Sequence, residues 1–327
     1  MVSAPGRGRV VTVGEPLVAF IASDGPLPAS AAYTSVVTGA ETNVAIALAR
    51  LGHDVELLGQ VGADAIGERV LRTLRAEQVG STFVRSVPGA DTGILIREPA
   101  VFGPAQVLYR RRGSAGSFMD ASYVASCSAV FQGASRLHVT GITPALSTSC
   151  AQAVRHAVDL ARSNGVKVSL DVNMRVTLWD PDTAHATLHD LVPLCDLVFG
   201  DAAELCLLAG VPSLHGAIEL LQEMGVSQVV HKRGALGAVV HSSESPALEL
   251  PGVTVNDVKD LVGAGDAFVA GYLSALLDFD NGVEAGAAQP ELGRGCLVAA
   301  FAVSAVGDST AAPTRQRITT VSADIVR

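Results

Sequence analysis

The sequence predicts an α/β protein with a mostly parallel central sheet. Two observations carry that prediction. Short β-branched or apolar runs alternate with longer segments whose apolar residues recur at helical spacing. The polar residues with chemical potential follow those short runs, where the carboxyl edge of a parallel sheet would gather them.

The elements follow in order. Residues 9–13 are a β-branched run broken by Gly14 and Pro16. Residues 43–51 form a helix of small apolar residues stopped by Gly52. Residues 55–58 read as a strand, and Ile66, Val70 and Leu74 fall at i, i+4 and i+8 of an amphipathic helix. Leu137 and Val139 alternate with polar neighbours in another strand. Ala151, Val154, Val158 and Ala161 make a second helical stripe, closed by Gly165. Strands at 166–170, 197–199 and 226–230 repeat the pattern, with Asp171 at the end of the first. Strands and helices alternating this way require right-handed crossovers. Two stretches, near 15–37 and 86–113, break the alternation.

Composition narrows the class. The chain has 327 residues, 49% of them hydrophobic and 17% charged, which suits a large packed core and leaves little room for disorder. The whole chain, 1–327, reads as one domain, without an internal repeat or linker. A formal charge of −9 argues against a nucleic-acid partner. No apolar run reaches membrane-spanning length, and the polar lead 1–9 does not read as a signal peptide. Cysteines 127, 150, 195, 206 and 296 stand singly, as reduced thiols of a cytoplasmic protein would. His185 and His189 lie at i, i+4 without a third ligand nearby, so the expected reading is a surface helix and not a metal site. No G-x-x-x-x-G-K-[ST] loop is present, and no G-x-G-x-x-G follows the first strand, which counts against a P-loop enzyme and a dinucleotide oxidoreductase.

One segment carries the chemistry. Asp260, Gly263, Ala264, Gly265 and Asp266 spell DxxGAGD immediately before the apolar run 267–277. A glycine turn feeding a helix leaves the first backbone N–H groups unpaired at the positive end of the helix dipole. That suits an anion. Asp266 beside it has a use as the base that takes a proton from an attacking hydroxyl in phosphoryl transfer. The same residues also fit a capped helix start with a solvated carboxylate.

This signature, with a second at 38–52 containing Gly39, Ala40 and Asn43, resembles the ribokinase-like (PfkB) family of sugar kinases. The resemblance extends through Gly59, Gly62, Asp64, Gly67 and Gly93 and covers the chain from Val10 to about Asp308. The stretches 109–117, 141–147 and 171–175, with Leu178 and Trp179 after them, are most similar to 2-keto-3-deoxygluconate kinases. The family implies a three-layer ribokinase-like fold, with 15–37 and 86–113 as a β-rich lid. It implies ATP-dependent, magnesium-assisted phosphorylation of a primary hydroxyl, here of a sugar acid. A fructokinase, another neutral-sugar kinase, and a catalytically weak sugar- or nucleotide-binding protein remain the alternatives; a retained Asp266 speaks against the last.

The resemblance also implies roles. Asp266 is the base, and Gly263, Ala264 and Gly265 lend amides to the transferred phosphate. Gly39, Ala40, Asn43, Tyr109, Arg111, Asn173 and Arg175 face the sugar. A guanidinium suits a carboxylate because its fork bonds both oxygens. Asp201, Lys232, Gly234, Gly237 and Cys296 lie on the nucleotide side, and Glu204 helps hold magnesium. Paired lids imply a homo-oligomer. The chain departs from the family at Thr38, at Leu261 and Val262, at Asp201, at Cys296, and at Leu95 and Met174, which each replace a tyrosine of the sugar pocket.

Overall fold

The computed structural model describes residues 8–100, 106–280, 282 and 290–325. The segment 101–105 of the second lid stretch, and most of the polar N-terminal lead, lie outside them.

Nine strands form the large sheet. They are β1 (Arg9–Val13), β4 (Val55–Gly62), β5 (Val84–Val87), β8 (Ala134–Thr140), β9 (Lys167–Asp171), β10 (Leu197–Gly200), β11 (Gln228–Lys232), β12 (Ala238–Ser242) and β13 (Leu248–Leu250). Their order is β13-β12-β11-β10-β9-β8-β1-β4-β5. Every pairing from β5 to β11 is parallel, while β12 and β13 run antiparallel at one edge. Strand β11 starts two residues later than the sequence indicates. Val226 belongs to the preceding connection, and its burial there makes it look like strand. The hairpin β12–β13 is too short to leave a periodic signal.

Alternate strand residues enter opposite cores, which makes the three layers. Val11, Val198 and Val229 pack with α4 (Thr148–Ser163) and neighbouring helices. Val10, Phe199 and Val230 pack on the other face with α1 (Ala40–Arg50), α2 (Ala65–Ala76) and α8 (Ala264–Asp280). In α4 the buried Ala153, Val154, Ala157, Val158 and Ala161 form one stripe, and Ser147 caps its start by accepting the Cys150 amide. Truncating a fully buried valine there would cost about 1.5–3 kcal/mol. Phe199 meets Tyr272 and Phe268 of α8 edge-on, at centroid distances of 5.3 and 6.5 Å. These contacts hold α8, and with it Asp266, over the carboxyl edge of β10.

A second sheet of four strands stands apart, in the order β3-β2-β6-β7. Its members are β2 (Leu17–Ala22), β3 (Tyr33–Thr38), β6 (Ile94–Arg97) and β7 (Val107–Arg110). All four fall within the two stretches that break the sequence alternation. Strand β5 does not join them; it pairs with β4 on the large sheet.

Helix α1 begins at Ala40, three residues before the sequence reading. Gly39 caps it at φ 126, and its carbonyl accepts the Asn43 amide at 2.7 Å. A Cβ on Gly39 would lie 2.5 Å from the Glu15 carbonyl oxygen, so only glycine lets β3 turn into α1 here.

Candidate active site

The glycine turn and α8 form the anion site that the sequence indicates. Gly263 takes φ 84, and its carbonyl accepts the Ala267 amide at 2.9 Å. The helix therefore starts at Ala264, with Asp266 in its first turn. No hydrogen bond among the described residues uses the amides of Gly263, Gly265 or Asp266. A Cβ added to Gly265 would touch only Lys232 Nζ, 3.9 Å away. Unpaired amides, the helix dipole and an open approach together make a seat for phosphate oxygens.

Two asparagines hold Asp266, one at each oxygen. Asn43 Nδ2 donates to Oδ2 at 2.8 Å, and Asn173 Nδ2 donates to Oδ1 at 3.3 Å. Asn173 adopts a left-handed conformation, φ 41, to reach it. Burial pushes the Asp266 acid up to about 7; the Asn43 bond and the Arg175 charge pull it down, and Asp171 and Asp308 push it further up. A carboxylate poised near neutrality and held in place is fit to serve as a general base.

The cleft wall is built from strand ends. Lys232 ends β11 and binds the buried Asp171 at the end of β9, Nζ to Oδ1 at 2.6 Å. Asp171 and Glu204 raise the lysine against its burial. Glu204 lies in α6 (Ala202–Ala209) and accepts the amides of Met174 and Asp201, each at 2.8 Å. Asp201 returns the favour by accepting the Glu204 amide at 2.8 Å. This capping box ties the loop after β9 to the loop after β10.

Two cavities meet at the turn. The first, about 700 Å³, is lined by Asn43, Asn173, Arg175 and Asp266 and by small-sheet residues including Leu95 and Tyr109. The second, about 390 Å³, is walled by Ala264, Phe268, Cys296, Ala299 and Val303. Lys232, Gly234, Leu261 and Gly265 belong to both. Asp266 faces the first cavity, and the free amide of Gly265 lies at the junction.

Comparison with known proteins decides what this arrangement is. The profile of the pfkB family carbohydrate kinases matches residues 8–315. The chain belongs to that family. PfkB carbohydrate kinases are phosphotransferases that act on sugar hydroxyls. The chain is 36% identical over 315 residues to a 2-dehydro-3-deoxygluconokinase of Bacillus subtilis, covering 94% of this chain and 93% of the relative. It is 35% identical over 319 residues to one of Thermoproteus tenax, covering 93% and 91%. The crystal structure of a PfkB protein from Polaromonas sp. JS666 superposes with a TM-score of 0.81 at 33% identity, covering 95% of this chain and 99% of the other.

Most residues that the family resemblance singles out converge. Gly39, Ala40, Asn43, Tyr109, Arg111, Asn173, Arg175, Asp201, Glu204, Gly263 and Asp266 line the first cavity. Gly237, Ala264 and Cys296 line the second.

Three expectations need correction. Arg111 lines the first cavity but is not a free cation: it is buried, and its Nε and Nη2 bind Glu15 Oε2 at 2.7 and 2.6 Å. The pair sits where the chain leaves the large sheet for the small one. Asn43 and Asn173 face the cleft, but their amide NH₂ groups serve Asp266 first. Glu204 has both oxygens on backbone amides, so it shapes the wall. Among the described residues no group of three or more His, Cys, Asp or Glu side chains is placed to hold a metal ion. A magnesium ion here would need phosphate oxygens to complete its shell, the usual arrangement for this ion. His185 and His189 direct Nδ1 to the carbonyls of Leu207 and Leu208, closing the end of α6.

The sequence reading missed Asp171, Glu15 and Arg97 as partners. Asp171 had a local signal, the end of a strand. The other two act across long sequence separations and leave none.

Proposed function

We propose that this kinase transfers the γ-phosphoryl group of ATP to the primary hydroxyl of a sugar acid, with 2-keto-3-deoxygluconate the best fit. The observation that carries the reading is the meeting of the two cavities at the free amides of the turn, with Asp266 on one side. The apolar second cavity suits a nucleotide base. The polar first cavity suits the acceptor.

The protein's part follows from the geometry. Asp266 takes the proton of the attacking hydroxyl as its oxygen bonds to the γ-phosphorus and ADP leaves. Asn43 and Asn173 keep the carboxylate aimed. The amides of Gly263, Gly265 and Asp266, with Lys232, meet the charge that spreads over the transferred oxygens. Magnesium, when bound with ATP, neutralises phosphate charge. The capping box of Asp201 and Glu204 fixes the wall beside that position.

Arg175 supports a sugar acid. It is exposed on the cleft rim, and its one described hydrogen bond uses Nη1, to the Met174 carbonyl at 3.0 Å. Two observations favour a second reading, a neutral sugar such as fructose. Arg111 is committed to Glu15, and Leu95 and Met174 present no hydroxyl to the cleft.

The small sheet serves as the lid. Leu17, Leu95, Val107 and Tyr109 carry it onto the first cavity, so closure excludes water from the phosphate. Its outer residues Tyr33 and Leu108 are 42% and 39% exposed, which supports pairing with a second copy through the lid. Light scattering at micromolar concentration should give a dimer or larger; a monomer refutes the pairing. The buried thiols Cys127, Cys150, Cys195 and Cys296 support a cytoplasmic setting.

Phosphorus–proton NMR of the product tests the reaction directly. The account expects a phosphate ester coupled to a CH₂ of 2-keto-3-deoxygluconate. An ester on a secondary carbon, or no ester, contradicts it.

A further inference from the structure

A buried arginine of the small sheet reaches the phosphate turn. Arg97, the last residue of β6, is 1% exposed. Its Nη2 donates to Asp260 Oδ2 at 2.7 Å and to Asp308 Oδ1 at 2.6 Å, and its Nη1 donates to the Glu98 carbonyl at 3.0 Å. The guanidinium therefore bridges two buried carboxylates.

Those carboxylates grip the turn from both ends. Asp260 Oδ1 accepts the amides of Val262 at 3.2 Å and Ala100 at 3.0 Å, and Oδ2 accepts that of Gly307 at 3.1 Å. Asp308 backs the turn with its main chain: a Cβ on Gly263 would lie 2.4 Å from the Asp308 carbonyl oxygen. The other carboxylate oxygen of Asp308 accepts from Thr38, one residue before the cap of α1. One guanidinium thus joins the β6 strand, the start of the C-terminal signature, and the junction before α1.

We propose that Arg97 is a positioning residue for phosphoryl transfer, an internal cation that sets the turn 261–265 relative to the small sheet. It lines neither cavity, so it acts through Asp260 and Asp308 and not on a ligand. Two arguments support this. First, two buried carboxylates this close repel each other unless a cation lies between them. Losing the cation would drive them apart, and the turn would shift. Second, Leu95 lines the sugar cavity two residues before Arg97 on the same strand. A displacement of β6 that carries Leu95 also carries the guanidinium, and through it the amides that meet the phosphate. Sugar wall and anion site are mechanically joined. The proposal rests on the kinase activity and not on which sugar is used.

The test uses the full-length protein and whichever sugar the wild type turns over fastest. Arg97→Ala should lower kcat by on the order of 10²-fold, the scale of a misplaced reacting group, with the sugar KM little changed. Millimolar guanidinium should restore much of the lost kcat in this variant and none in the wild type, because it refills the place between Asp260 and Asp308. Arg97→Lys, which keeps the charge without the fork, should fall between the two. A folded Arg97→Ala protein with normal kcat, a loss confined to sugar KM, or a loss that guanidinium does not relieve would each overturn the proposal. If Arg97→Ala does not fold, Arg97→Lys decides: a kcat equal to the wild type rejects it, and a reduced kcat with an unchanged sugar KM upholds it.

Discussion

Asn43 and Asp266 lie 223 positions apart in the chain and 2.8 Å apart in space. Each sits near the start of a helix, Asn43 in α1 and Asp266 in α8, and the two helices pack together. The contact brings the two signatures of the sequence into one device. Burial makes the carboxylate reluctant to ionise, and the asparagine bond opposes that reluctance. The balance leaves Asp266 a stronger base than a surface aspartate while keeping it usable near neutral pH.

Replacing Asp266 with Asn should lower kcat by roughly 10² to 10⁴, the scale expected for a lost general base. Stability should move the other way. The folded protein holds a proton on Asp266 that the unfolded chain gives up above the ordinary aspartate value of 3.8. Ionising it in the fold is therefore a cost that is absent below about pH 4, grows through the interval, and is complete above about pH 7. Each tenfold change in proton affinity is worth about 1.4 kcal/mol. Thermal melts should show Asp266→Asn gaining more at pH 8 than at pH 5. Near-normal turnover would remove Asp266 from the mechanism, and equal gains at both pH values would remove the strain.

The pH profile of kcat/KM should have an acidic limb near 7, with activity falling as pH drops and Asp266 takes up its proton. Asn43→Ala removes the bond that favours the ionised form, so the limb should move to higher pH. A profile that is flat from pH 5 to 8, or a limb that Asn43→Ala leaves in place, contradicts this coupling.

Arg175→Ala should weaken a sugar acid much more than a neutral sugar of similar size. A lost charge-assisted hydrogen bond costs about 1.5–3 kcal/mol, or roughly 10- to 150-fold. Competition assays with both ligands measure the difference. Equal losses would assign Arg175 to the loop structure and leave the carboxylate without a reader.

The layers were legible in the sequence because local patterns specify them. The stripe of α4 and the strand 166–170 follow from residue spacing, and the glycine turn before α8 from composition. Some glycines and acids of the family pattern prove to be scaffold. Asp64 caps α2 through the Gly67 amide and also binds the Thr92 amide, both at 2.7 Å, which locks the loop before β6. What stayed hidden was pairing at long range. The family pattern makes Arg111 a sugar-facing cation, and nothing near it in the sequence announces Glu15. Arg97 carries no motif, and its partners lie 163 and 211 positions away. The corrected roles of Asn43 and Asn173 have the same origin: their residue type announces polarity, and only the fold shows that the polarity is turned on Asp266.

A single panel tests the central claim most directly. The purified protein would be given ATP and magnesium with 2-keto-3-deoxygluconate, fructose, ribose and a nucleoside, and ADP release would be followed for each. The account predicts the highest kcat/KM for 2-keto-3-deoxygluconate. A higher value for fructose or ribose would contradict it and transfer the site to a neutral sugar.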